Sequence, residues 1–355
     1  MPAGYNKKMV LKEYSALFTR HLWIYALLAA GFILKDVGSL LDVSYHFKHL
    51  RDFYQLPHVV NGVGDIIVLL VFVYLWLTEP KKQRGYLKII LGGILVFFFG
   101  IVFDQWWHQA YGVDLTIWSP AHVTLYLGTL ICLIGSLLYV ARDSKHAGIS
   151  ERLRRIYCLI FFTLILSAFW FLLVQQEQGV VADYFMKRGV RVADSELALA
   201  YFLNHKDVYA GIPFWVYGAW ASLSVTLVFS LVKRLDMRRW SASIIATAYV
   251  VMRAVVNCVF IVINYQTSTV PYYLIIVALL FDFTSNIFSP RPVLGKVIPA
   301  VVIVLGFLSV GLVETSIPMH PQIPLMETLV AAVPAAVMGY AIASMSYRSL
   351  FKKHL

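Results

Sequence analysis

The residues best able to do chemistry in this chain fall in a pattern that occurs twice. The first copy reads Asp42-Val-Ser-Tyr-His46, passes through Asp52 and closes on Pro57-His58. The second reads Asp104-Gln-Trp-Trp-His108, passes through Asp114 and closes on Ser119-Pro120-Ala121-His122. In both copies six residues lead from the first histidine to the inner aspartate, and 62 positions separate Asp42 from Asp104. Four of the ten histidines belong to this pattern. Carboxylates and imidazoles are costly at the edge of a bilayer, so a repeated set calls for a function. Metal binding is the function these residue types serve.

On an α-helix, residues i and i+4 share a face. Asp42 with His46, and Asp104 with His108, can therefore present one carboxylate oxygen and one imidazole nitrogen to a common ion. The third ligand comes from the returning helix, as His58 or His122, each close behind a proline suited to the first helical turn. An Asp-His-His set suits copper, zinc or iron and lacks the thiolates that favour Cu(I). Three protein ligands with an open position are the mark of a catalytic site, whereas structural zinc sites usually close with four. Asp52 and Asp114 can orient a ligating imidazole from outside the ligand set, and Asp52 can also pair with Arg51. The competing reading is a hydrogen-bonded helix connection with no metal. Trp106, Trp107 and Trp118 fit an interfacial aromatic belt.

The elements that must position these residues are membrane helices. With 60% hydrophobic and 14% charged residues, the chain is not a soluble globular protein. Apolar runs of about 20 residues, the length that spans a bilayer core, recur at 21–41, 58–78, 86–106, 121–141, 156–174, 213–232, 242–264, 270–288, 296–314 and 326–346. The expected fold is an all-α polytopic bundle of about ten transmembrane helices, the first four forming two related helix pairs. Each pair carries one copy of the motif at its connection. The organisation reads as an N-terminal segment 1–20, a helix-pair region 21–142 and accessory helices 143–355 with a long loop, 175–212, that could contact a partner. Cys132, Cys158 and Cys258 share no CxxC spacing and read as packing residues.

The net charge of +11 follows topology rather than nucleic acid. Basic residues gather in alternate loops, among them Lys81, Lys82 and Arg84, then Arg152, Arg154 and Arg155, then Lys233, Arg234, Arg238 and Arg239. By the positive-inside rule these loops and both termini face the cytoplasm, which places the motifs on the outer side of a cytoplasmic (inner) membrane.

Over about residues 36–130 the motifs distantly resemble the copper-binding membrane component of particulate methane and ammonia monooxygenases. That component has an Asp-x3-His followed by an Arg-Asp dipeptide and a Pro-x-His, then an Asn-x3-His with a later Pro-x-His. Here Asp42, His46, Arg51-Asp52 and His58 take the first set of places, and Asp104, His108 and His122 the second. Two departures stand out: Pro57 adjoins His58 directly, and Asp104 replaces the family's Asn. The resemblance implies copper, oxidase or monooxygenase-like chemistry with O2 on a small apolar substrate, and partner subunits. The alternatives from a different class are metal uptake, delivery or sensing without catalysis, and a structural membrane protein.

Overall fold

The computed structural model describes residues 7–46, 56–81, 84–111, 118–146, 149–187, 208–209, 212–236, 239–265, 270–288, 297–306 and 325–348. They form ten helices: α1 Lys7–His46, α2 Leu56–Thr78, α3 Gly85–Tyr111, α4 Pro120–His146, α5 Glu151–Lys187, α6 Phe214–Asp236, α7 Ser241–Val262, α8 Tyr273–Phe288, α9 Val297–Gly306 and α10 Leu325–Ser346. Ahead of α6, Val208–Tyr209 pairs antiparallel with Ile212–Pro213. Each helix falls on one of the ten apolar runs, α9 on the first part of 296–314. Among the described residues, seven helices are long and apolar enough to cross a membrane: α1 from His21, α2, α3, α4, α5, α7 and α10; α8 and α9 are shorter. The chain is a polytopic membrane helix bundle.

Boundaries differ from the sequence expectation most at two helices: α1 begins at Lys7, inside the expected N-terminal segment 1–20, and α5 runs past 175. The loop expected from 175 begins instead as helix, because α5 runs on to Lys187. Gln175, Gln176, Glu177 and Gln178 are polar but good helix formers, so hydropathy ends there while helix propensity does not.

α5 is the hub, packed against α1, α4, α6 and α7. Phe161, Leu166 and Trp170 on it are fully buried. Leu77, Val102, Ile261 and Val262 lie exposed on outer helix faces, as lipid-facing residues do. Lipid removes the hydrophobic drive between helices, so close packing must hold them, and small residues permit it. In α1/α2 a Cβ on Gly64 would lie 2.6 Å from the Gly31 carbonyl oxygen and 2.7 Å from the Lys35 nitrogen. In α3/α4 a Cβ on Gly128 would lie 2.5 Å from the Phe97 nitrogen, and one on Gly93 2.8 Å from the Gly128 carbonyl oxygen. Gly38 meets Asn61, and Gly100 meets Leu125, in the same way. Counting 62 positions from α1 to α3 and 64 from α2 to α4, these are corresponding contacts in the two pairs.

Both motif copies lie at one end of the bundle. Tyr25, near the start of the apolar part of α1 that begins at His21, donates a 2.6 Å hydrogen bond to Asp143, late in α4. Arg142, also late in α4, donates to the Tyr86 hydroxyl at the start of α3. The start of the apolar part of α1 and the start of α3 therefore share one end, and Asp42 and Asp104, toward the close of each helix, share the other.

Candidate metal centre

Helix ends build the second motif. Ser119 caps α4: its Oγ accepts the backbone N–H of His122 at 3.2 Å, the bond expected of a serine N-cap to the third helical residue. Pro120 occupies the first helical position, where its missing N–H costs nothing. The cap thereby sets His122 one turn into α4, facing the last two turns of α3. Trp118 anchors this start through Nε1, which donates to the Leu172 carbonyl of α5 at 2.9 Å, and stacks edge-on against Trp220. Trp118 is thus a partly buried brace between helices, whereas Trp106 is half exposed.

The structure brings Asp104, His108 and His122 together, with one donor atom from each within 4.8 Å of the others. Asp104 Oδ1 lies 3.4 Å from His122 Nε2 and 3.8 Å from His108 Nε2. The two imidazoles stand nearly perpendicular, 84° apart. Charge-assisted hydrogen bonds run at about 2.7–2.9 Å, so neither contact is a good one. Asp104 Oδ1 is shut off from solvent and accepts no hydrogen bond among the described residues. Donors that each sit about 2.0–2.1 Å from one ion stand roughly 3 to 4 Å apart. The residues fit a metal ion of that kind better than they fit one another.

The first motif repeats half of this. His58 Nε2 lies 3.4 Å from Asp42 Oδ1, the same separation as His122 from Asp104. The backbone of α1 stays helical through His46, four residues beyond Asp42, but the His46 side chain lies outside the described residues. So do Arg51, Asp52 and Asp114.

Tyr265 joins the first motif from a distant part of the chain. α7 ends in a Schellman motif with Asn264 at φ 57°. The Tyr265 N–H donates to Phe260 O at 2.8 Å and the Asn264 N–H to Ile261 O at 3.2 Å. A short polar asparagine tolerates this left-handed turn. The turn places the Tyr265 ring 5.6 Å from that of Tyr45. Partial burial, and then the Asp42 carboxylate, push the Tyr265 hydroxyl up from its ordinary pKa. No motif rule applied to residues 42–58 points to a residue two hundred positions away.

Ionisable groups inside the bundle are more numerous than hydropathy alone indicates. Lys35 pairs with Asp65 at 2.7 Å, and Asp36 accepts from Ser167 at 2.8 Å. Arg253 and Asp282 are buried within the bundle as well. Asp282 accepts from the Ser243 backbone and hydroxyl, both at 2.8 Å, and faces Lys233 at 3.4 Å. Arg253 acts electrostatically on Asp36.

Comparison with protein-family models, with curated proteins and with solved structures found no match for this chain, so its functional reading rests on its own residues.

Proposed function

We propose that this membrane protein is a metalloprotein in which two copies of one helix-pair unit each hold a transition-metal ion. Copper is the favoured metal, and the favoured role is that of an oxidase or monooxygenase-like enzyme or enzyme subunit. The observation that carries the reading is the convergence of Asp104, His108 and His122 around a buried carboxylate oxygen with no hydrogen bond among the described residues. In the first unit, Asp42 and His58 would be joined by His46. The corresponding glycine contacts support a repeat that extends beyond the motifs into helix packing.

Imidazole and carboxylate ligands serve copper, zinc and iron, and copper agrees with the resemblance to the monooxygenase component. A bound copper ion would supply one-electron chemistry with O2. The chain's own residues have simpler tasks. Asp104 neutralises cationic charge, His108 and His122 offer ring nitrogens from two helices, and Ser119 and Trp118 fix the approach of the second helix. Apolar outer faces such as Val102 and Trp106 of α3 leave the site open to a small lipid-soluble substrate. The motif end is assigned to the outer face of the cytoplasmic membrane, with both termini in the cytoplasm.

The test is O2 consumption by purified, copper-loaded protein given a reductant, with His108→Ala beside it. Turnover that disappears in the variant supports the enzyme. Stoichiometric copper without turnover moves the reading to metal handling, checked by copper uptake into vesicles. Absence of metal binding by well-folded protein overturns both and leaves a structural protein.

A further inference from the structure

The two helix pairs share their close contacts but differ in what lies beneath the motif. Along α1, Asp42, Ser39 and Lys35 lie on one face, at intervals of three and four residues; along α2, His58, Asn61 and Asp65 do the same. They meet as a descending series. Asp42 faces His58 at 3.4 Å, the Asn61 side-chain amide donates to Ser39 Oγ at 3.3 Å, and Lys35 Nζ reaches Asp65 at 2.7 Å and Asn61 Oδ1 at 3.3 Å. Seven residues of helix carry this series about 10 Å inward from the motif. In α3/α4 only the first step recurs, at Asp104 and His122. Ile101 and Leu125 take the places of Ser39 and Asn61, and Phe97 and Thr129 those of Lys35 and Asp65.

The series ends at a cavity of about 30 Å³ between the pairs, lined by Lys35, Asp65, Phe97, Thr129 and Cys132 among others. That is room for a water molecule. Lys35 is held on three sides: by Asp65, by Asn61, and by the Phe97 ring, whose centroid lies 3.5 Å from Nζ. Its side chain is 7% exposed, whereas that of Asp65 is 31% exposed. The ion pair is not what holds the helices together, because α3/α4 packs through corresponding glycines with Phe97 and Thr129 in the same two places. Ionisable residues within a membrane mark ion or proton sites by default.

We propose that Asp65, steadied by Lys35, is a water-accessible proton-binding site within the membrane, reached along the polar α1/α2 interface and absent from α3/α4. On uptake, a hydronium ion in the cavity loses a proton and becomes water as an O–H bond forms on the Asp65 carboxyl; release reverses the step. Lys35 stays in place beside the carboxyl, bonded to Asn61 and seated over the Phe97 ring. The groups facing this pair are Asn61 on α2, Phe97 on α3, and Thr129 and Cys132 on α4. Asp36, next to Lys35 on α1, is engaged with Ser167 of α5 and lies within the field of Arg253 of α7. The proposal does not rest on the metal reading, since neither Lys35 nor Asp65 is a ligand.

Infrared difference spectroscopy of the detergent-purified full chain, titrated between about pH 5 and about pH 9, tests it. The expected result is a carboxylic-acid C=O band that shifts in D2O and is lost in Asp65→Asn. The double variant Lys35→Phe/Asp65→Thr, which copies the second pair, should keep its helical circular dichroism and lack the band. A wild-type spectrum with no band that Asp65→Asn removes overturns the proposal. So does a double variant that fails to fold, because the pair would then be a packing element.

Discussion

Helix pairs α1/α2 and α3/α4 meet through corresponding glycines and carry matched Asp–His separations of 3.4 Å at the same end of the bundle. Beneath that shared frame they diverge. The first pair continues inward through Ser39, Asn61, Lys35 and Asp65; the second is filled by Ile101, Leu125, Phe97 and Thr129. Their returning helices differ as well. Ser119 caps α4 ahead of Pro120, while α2 begins at Leu56-Pro57 with an apolar residue in front of the proline. The glycines and the Asp–His contacts are common to both pairs, and the intramembrane charges are not, so packing of a pair does not require those charges.

The largest difference between the pairs is expected from changes at the proposed ligands. Replacing His122 or His58 by alanine is expected to weaken metal binding in its own pair by more than the roughly 10–100-fold typical of changes outside the ligand set. Equilibrium titration of each variant checks this, and the unaltered pair should retain its ion. Next come the close contacts. Gly64→Ala and Gly128→Ala each force a Cβ to within 2.6 Å of backbone, Gly31 in one case and Phe97 in the other, and each should destabilise by about 1–3 kcal/mol. Similar losses in thermal unfolding would sharpen the equivalence of the pairs; a loss in one alone would break it.

Ser119→Ala should cost about 1 kcal/mol, because the His122 N–H loses its cap, and should loosen only the second pair's site. Leu56→Ser should not produce an equal and opposite gain, since Pro57 sits directly before His58. The smallest effect is at Tyr265. Its hydroxyl is raised by burial and by Asp42, so tyrosinate forms at higher pH than the usual value of about 10. Its stabilising contribution is therefore complete below the unfolded-state pKa and is lost as pH rises through the folded one. Asp42→Asn should move that titration part of the way back, read as the difference between spectrophotometric titrations of proteins with Tyr265 and with Tyr265→Phe.

Helix number and the second Asp-His-His cluster were readable in the sequence because hydropathy and i, i+4 spacing are local properties. Among the described residues a helix falls on each of the ten apolar runs, and Asp104, His108 and His122 met as their spacing predicts. The end of α5 was not readable, because Gln175–Gln178 are polar yet helix-forming. Trp118 and Tyr265 were missed because their partners, Leu172 and Tyr45, come from other helices. Lys35 and Asp65 were hidden differently: windowed hydropathy dilutes one charge among many apolar neighbours. Their signal was nonetheless present, in the spacing of Ser39 and Lys35 behind Asp42 and of Asn61 and Asp65 beyond His58.

The central claim is that Asp104, His108 and His122 hold a metal ion. Elemental mass spectrometry of detergent-purified protein, beside His46→Ala and His108→Ala, tests it most directly. Copper is expected in stoichiometric amount, reduced in each single variant while the helical circular dichroism is kept. Well-folded protein that retains no metal after exposure to copper, zinc and iron would contradict it.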